Sequence, residues 1–90
     1  MKTIFIDITH SVFNNDTKAT MYITKDFHSK SYMISIPVIT FSFIIREENA
    51  NNDYEMLRVR LPYKEPIIYV DKLIHDIKGG IEKMNENLVR

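Results

Sequence analysis

The sequence predicts an α+β domain, a four-stranded, mainly antiparallel β-meander drawn from residues 2–61 with one C-terminal amphipathic helix, residues 71–88, packed on one face. Three observations predict it. Apolar and polar residues alternate with a period of two through most of the chain before Pro62, which puts each set on one face of a sheet. From Asp71, an acceptable N-cap, the period changes, and Leu73, Ile74, Ile77, Ile81, Met84 and Leu88 recur at helical spacing. Ninety residues suffice for a single domain with one core, burying roughly 60–65% of the surface that the unfolded chain exposes.

In the first segment, Lys2 to Thr9, the residues Ile4, Ile6 and Ile8 alternate with Thr3, Phe5 and Asp7, and the β-branched content favours a strand. His10 to Asp16 mixes turn formers with two apolar residues and reads as a connection whose Phe13 tucks under the sheet. Thr17 to Lys25 alternates again, with Ala19, Met21 and Ile23 on one face and Thr20, Tyr22 and Thr24 on the other. Asp26 to Lys30 turns the chain into the stretch around which the rest is organised, Ser31 to Leu61. There two apolar runs, Tyr32 to Arg46 and Tyr54 to Leu61, flank the polar tip Glu47 to Asp53 and predict an antiparallel hairpin.

The first run changes phase at Pro37. Tyr32, Ile34 and Ile36 share one parity, and Ile39, Phe41, Phe43 and Ile45 the other. A bulge or break near the proline keeps both halves on the core, while burial of the run on both faces is the alternative. Pro62 and Pro66 end the second run, and Ile67 to Val70 is either a short fifth strand or a lead-in to the helix. The predicted core holds Ile4, Ile6, Ile8, Met21, Ile23, Ile39, Phe41, Phe43, Leu57, Val59, Leu61, Ile74, Ile77 and Ile81.

Gly79 and Gly80 interrupt the helical segment, each costing about 1 kcal/mol against alanine in a helix interior. Three readings are open: a C-cap at Gly79 that divides the helix, close packing on the sheet, or contact with a second copy of the chain. Ile74, Ile77, Ile81, Met84 and Leu88 keep a three-four spacing straight through the glycines, the pattern of two packed helices. Ile77, Ile81 and Met84 are therefore the expected contacts of a homodimer.

Composition narrows the function classes. Twelve basic and twelve acidic residues balance to a formal net charge of zero, so no strong global field attracts nucleic acid or an anionic membrane, and self-association is not opposed. No apolar run approaches the ~18 residues of a membrane span, and no secretory signal is expected, because Asp7 interrupts the first apolar segment. The absence of cysteine removes disulfides and thiolate metal sites and fits a reducing, cytoplasmic setting.

No catalytic residue, cofactor or metal is expected. His10, His28 and His75 lie far apart, without a second ligand at metal spacing. His75 and Asp76 are adjacent on a helix and point in different directions. Asp7 sits on a strand as metal-holding carboxylates do, but the other acids lie at the hairpin tip or on the helix, so a solvated strand position is the plainer reading. The one patch of interest is Arg46, Tyr54, Arg58 and Arg60 on the outward face of the predicted hairpin, with Lys64 nearby. Arginine and tyrosine are enriched where proteins bind proteins, and basic side chains interleaved with an aromatic also suit single-stranded DNA or RNA. A solvated face with cross-strand ion pairs is the third reading. The expected function is a non-enzymatic protein-binding module that occupies the surface of another macromolecule, with single-stranded nucleic acid as the alternative partner. Small size and an Ile/Lys/Asn bias without catalytic motifs resemble the general style of phage and mobile-element accessory proteins, including those that block host defence.

Overall fold

A computed structural model of the chain describes residues 2–13, 17–61 and 68–88. Four strands, β1 (Lys2–Asp7), β2 (Thr20–Asp26), β3 (Ser31–Ile36) and β4 (Phe41–Arg46), are followed by two helices, α1 (Ala50–Arg60) and α2 (Val70–Leu88). The strands form an antiparallel sheet in the order β1-β2-β3-β4. The α+β class, the meander and the C-terminal helix are thus those predicted. The division of the chain among the elements differs in two places, and the sheet ends at Arg46 rather than near Leu61.

First, the run Tyr32 to Arg46 is not one strand but two. The phase change at Pro37 is a reversal of the chain: Pro37–Ile39 form a short 3₁₀ turn, the Thr40 N–H donates to the Pro37 carbonyl at 2.9 Å, and Thr40 takes a left-handed φ of 50°. Pairing Ile36 with Phe41, Ile34 with Phe43 and Tyr32 with Ile45 places both parities on one face. Second, Tyr54 to Leu61 is not a strand. Its apolar residues fit a period of two through Leu57, Val59 and Leu61, but they also fit a helix through Tyr54, Leu57 and Leu61. With a single β-branched residue and Glu, Met, Leu and Arg around it, helical propensity prevails. Tyr54, Leu57 and Leu61 are buried, while Val59, expected in the core, is 71% exposed. Of the fifth strand considered at Ile67 to Val70, Ile67 lies outside the described residues, Ile68 and Tyr69 lead into α2 without strand structure and Val70 begins the helix.

The core lies between the inner sheet face and the two helices. Ile8, Met21, Ile23, Tyr32, Ile34, Ile36 and Ile45 meet Leu57 of α1 and Leu73, Ile77 and Met84 of α2, joined by Val12 and Phe13 from the β1–β2 connection. Phe13 is fully buried, as predicted. Ile4, Ile6, Ile39, Phe41, Phe43 and Ile81 are partly buried around this cluster.

Helix α2 runs unbroken through Gly79 and Gly80, so the C-cap reading is wrong. A Cβ on Gly80 would stand 2.7 Å from Ile23 Cδ1, 2.8 Å from Ile6 Cδ1 and 3.4 Å from Ile4 Cδ1. Close packing on the sheet accounts for Gly80. It does not account for Gly79, whose Cβ would meet nothing within 4 Å among the described residues. Ile77 and Met84 are fully buried within the chain and Ile81 packs at the core's edge, so these three face the sheet rather than a second helix.

Candidate protein-interaction face

Strand register decides what the outer face of the sheet carries. Side chains opposite to the buried set form two adjacent rows across all four strands, Phe5, Tyr22, Ser35 and Ser42 in one and Thr3, Thr24, Met33 and Ile44 in the next. None of the eight is charged. Four are large and apolar, and they are open to solvent: Phe5 is 75% exposed, Ile44 54%, Met33 47% and Tyr22 40%. The Phe5 and Tyr22 rings lie 6.4 Å apart, within the range of favourable aromatic pairing. Scattered apolar side chains are ordinary on a surface, whereas a contiguous uncharged set on one sheet face is the kind of surface that interaction sites use.

At the β4 margin the face is bordered by α1, which packs along that strand. Met56 and Arg60 of α1 join Met33, Ser42, Ile44 and Arg46 around a shallow concavity. Arg46 is held there by Asp53. The Asp53 carboxylate, nearly buried, accepts from the Arg46 backbone N–H at 2.9 Å, from Nε at 3.2 Å and from Nη2 at 2.8 Å. These contacts, the guanidinium first and the backbone N–H after it, hold the Asp53 carboxyl below the usual range against the opposing effect of burial.

The predicted basic-aromatic patch does not survive this arrangement as a unit, because its helix turns the residues in different directions. Arg46 and Arg60 do come together on the outer concavity. Tyr54 is buried in the core with the Lys78 ammonium 5.0 Å from its ring centre. Arg58 pairs with Asp71 at the start of α2 and with Glu55. Lys64 lies outside the described residues. Among the described residues no group of three His, Asp or Glu side chains is placed to hold a metal. Asp7 ends β1 by accepting the Thr9 N–H at 2.9 Å, and hydrogen bonds from Thr9 hold its carboxyl below the usual range. That is the role of a turn residue.

Sequence reasoning missed a second polar cluster, on the inner side of the sheet one register step from Arg46. Lys25, almost buried, donates to Asn85 Oδ1 at 2.9 Å and lies 3.5 Å from Glu47 Oε1, while the Tyr32 hydroxyl shares its one proton between the same two acceptors, each 3.2 Å away. Strand alternation places Lys25 inward with Met21 and Ile23, which is the one signal available. These groups satisfy one another and tie α2 to β2 and β3. Comparison with protein-family models, with curated proteins and with solved structures finds no match. No helix in the described residues is long and apolar enough to cross a membrane.

The Asp53 site yields a prediction about stability and pH. Asp53→Ala should lower the unfolding free energy by about 1.5–3 kcal/mol at neutral pH, since it leaves the N–H of Arg46 without its charged acceptor. The folded pKa lies below the ordinary value of 3.8, so the unfolded chain takes up this proton first as pH falls. The contribution is therefore complete above that value and gone below the folded pKa. Urea titrations of both proteins from neutral to acid pH should show the difference between them shrinking toward zero.

Proposed function

We propose that this chain is a non-enzymatic protein-binding module that occupies an apolar surface on another protein through the outer face of its sheet. The observation that carries the reading is the uncharged, exposed set of Phe5, Tyr22, Met33 and Ile44. An apolar partner surface bearing an acidic group opposite Arg60 is its chemical complement, because a face with no charge in its two central rows offers little to a phosphate backbone. Composition and size favour a role of the phage or mobile-element accessory kind, blocking a host macromolecule by covering it.

The test compares the wild-type chain with Met33→Lys plus Ile44→Lys as bait in extract of the native host. Both positions are exposed, so the double variant should stay within about ±0.5 kcal/mol of wild type, which circular dichroism and a melt verify. A partner retained by the wild type and by Arg58→Ala but lost from the double variant supports the reading. Equal retention by the double variant would place binding elsewhere and overturn it. Retention abolished by nuclease, with oligonucleotide affinity that falls steeply with salt, would establish the nucleic-acid alternative instead.

A further inference from the structure

Strand β1 is the margin of the sheet opposite α1, and among the described residues no strand pairs with its outer side. The Ile8 N–H donates to the Ala19 carbonyl at 3.0 Å, while the Ala19 N–H turns to Thr9 Oγ1 at 2.8 Å, so this single bond fixes which β1 residues face β2. Antiparallel pairs alternate, so Ile6 with Met21 and Ile4 with Ile23 also exchange bonds with β2. The N–H and C=O groups of Thr3, Phe5 and Asp7 therefore point away from the sheet. The charges of this edge are confined to its two ends, Lys2 and Asp7, and the four residues between them carry no charge, proline or bulge, the devices by which proteins block edge pairing.

The groove beside the edge is bounded by the flank of α2 that holds Asp76, Gly79, Gly80 and Lys83. We propose that a second copy of the chain fills it, pairing β1 with β1 antiparallel about a two-fold axis through Phe5 and bringing α2 against its mate at the glycine pair. Three features argue for this occupant. The register is self-complementary: Phe5 meets the partner's Phe5, Ile4 meets the partner's Ile6 and Thr3 meets the partner's Asp7, using the outward backbone groups as hydrogen-bonded pairs. The two elements share one axis, since the Cβ position of Gly80 is in contact with both Ile4 and Ile6, the residues on either side of Phe5. Charge is complementary, because Asp76 and Lys83 are equidistant from the Gly79–Gly80 peptide, so an antiparallel mate sets each Asp76 against the partner's Lys83.

Spacing agrees. Helix α2 stands over β1 and β2, as the contacts of Gly80 with Ile4, Ile6 and Ile23 require. With strands ~4.8 Å apart, its axis lies roughly 5 Å from the two-fold, and the two helices approach to about 10 Å, within the range of packed helices. Gly79, which no described residue of the chain demands, then lies where the two helices come closest. The pairing leaves the outer face open and joins two of them across Phe5, so it does not depend on the proposed function.

The chain contains no cysteine, which allows an unambiguous cross-linking test. Phe5→Cys sets two thiols at a hydrogen-bonded antiparallel pair, where Cα atoms lie ~5.5 Å apart, inside the range of a disulfide. Under mild oxidation it should convert largely to a covalent dimer of twice the 10.7 kDa chain mass, at least tenfold faster than Met33→Cys, placed two strands away. Sedimentation of the wild type should show the same doubled mass, falling to monomer in Gly79→Gln, a change that favours the helix and leaves circular dichroism unaltered. A wild type that stays monomeric at high micromolar concentration would overturn the proposal. So would a dimer that persists in Gly79→Gln, or equal cross-linking rates for the two cysteine variants.

Discussion

Phe13→Ala should lower the unfolding free energy by about 3–5 kcal/mol, the usual cost of emptying a fully buried aromatic site. Phe13 has no exposed surface, and the connection that carries it is pinned on both sides. The N–H groups of Val12 and Phe13 donate to the Ile8 carbonyl at 3.0 and 3.3 Å, and the Val12 carbonyl accepts the Tyr69 N–H at 2.9 Å, just before α2. Backbone held this way cannot collapse into the vacated volume, which is what keeps such costs high. Phe41→Ala should cost clearly less. Phe41 is only partly buried, stacked on Phe43 with ring centres 6.3 Å apart at the margin of the core. Denaturant titrations of the two variants read the contrast directly, and a Phe13→Ala loss of about 1 kcal/mol or less would show that this connection does not close the core.

Gly80→Leu should destabilise the chain by about 3 kcal/mol or more. Three isoleucine methyl groups from β1 and β2 converge where its side chain would begin, and inserting several carbons into occupied space forces neighbours off their rotamers. Gly79→Ala should do the opposite. Its added methyl meets none of the described residues, so the helix gains up to about 1 kcal/mol from restricting the unfolded backbone. The two glycines are adjacent and identical in sequence terms, yet the expected changes have opposite signs. Melting curves at the lowest workable protein concentration, where self-association contributes nothing, check both.

The contrast shows what could be read from the sequence. Strands β1 and β2 were legible because alternation ran cleanly from Ile4 to Ile8 and from Ala19 to Ile23. The reversal between β3 and β4 was visible only as a change of parity at Pro37, since Pro37-Val38-Ile39-Thr40 holds no glycine, asparagine or aspartate to advertise a turn. α1 was misread because the eight residues from Tyr54 to Leu61 satisfy a period of two and a helical period together, and the contact of Leu57 and Leu61 with the core decides between them. The basic patch was inferred from that false strand, and it dissolved because Tyr54 is buried and Arg58 and Arg60, two residues apart, lie on opposite sides of a helix. The outer sheet face left a trace in the sequence, because Phe5 and Tyr22 occupy solvent-facing parity in strands whose inner positions are already apolar. What alternation could not supply was register, which alone brings Met33 and Ile44 beside them.

Every strand in this sheet bonds only to its neighbours in sequence, and two of the three reversals, at residues 27–30 and 37–40, span four positions. Closing such short loops costs little chain entropy, so the β2–β3–β4 meander can assemble early and quickly. β1 must instead close over the longer connection from Ile8 to Ala19, and α2 must return from the far end of the chain to lay Gly80 on Ile4 and Ile6. The late-arriving pieces are the same ones that form the open margin. Until β1 docks, the edge that such an early meander leaves open is that of β2, so the arrival of β1 replaces one unpaired edge with another that has α2 beside it.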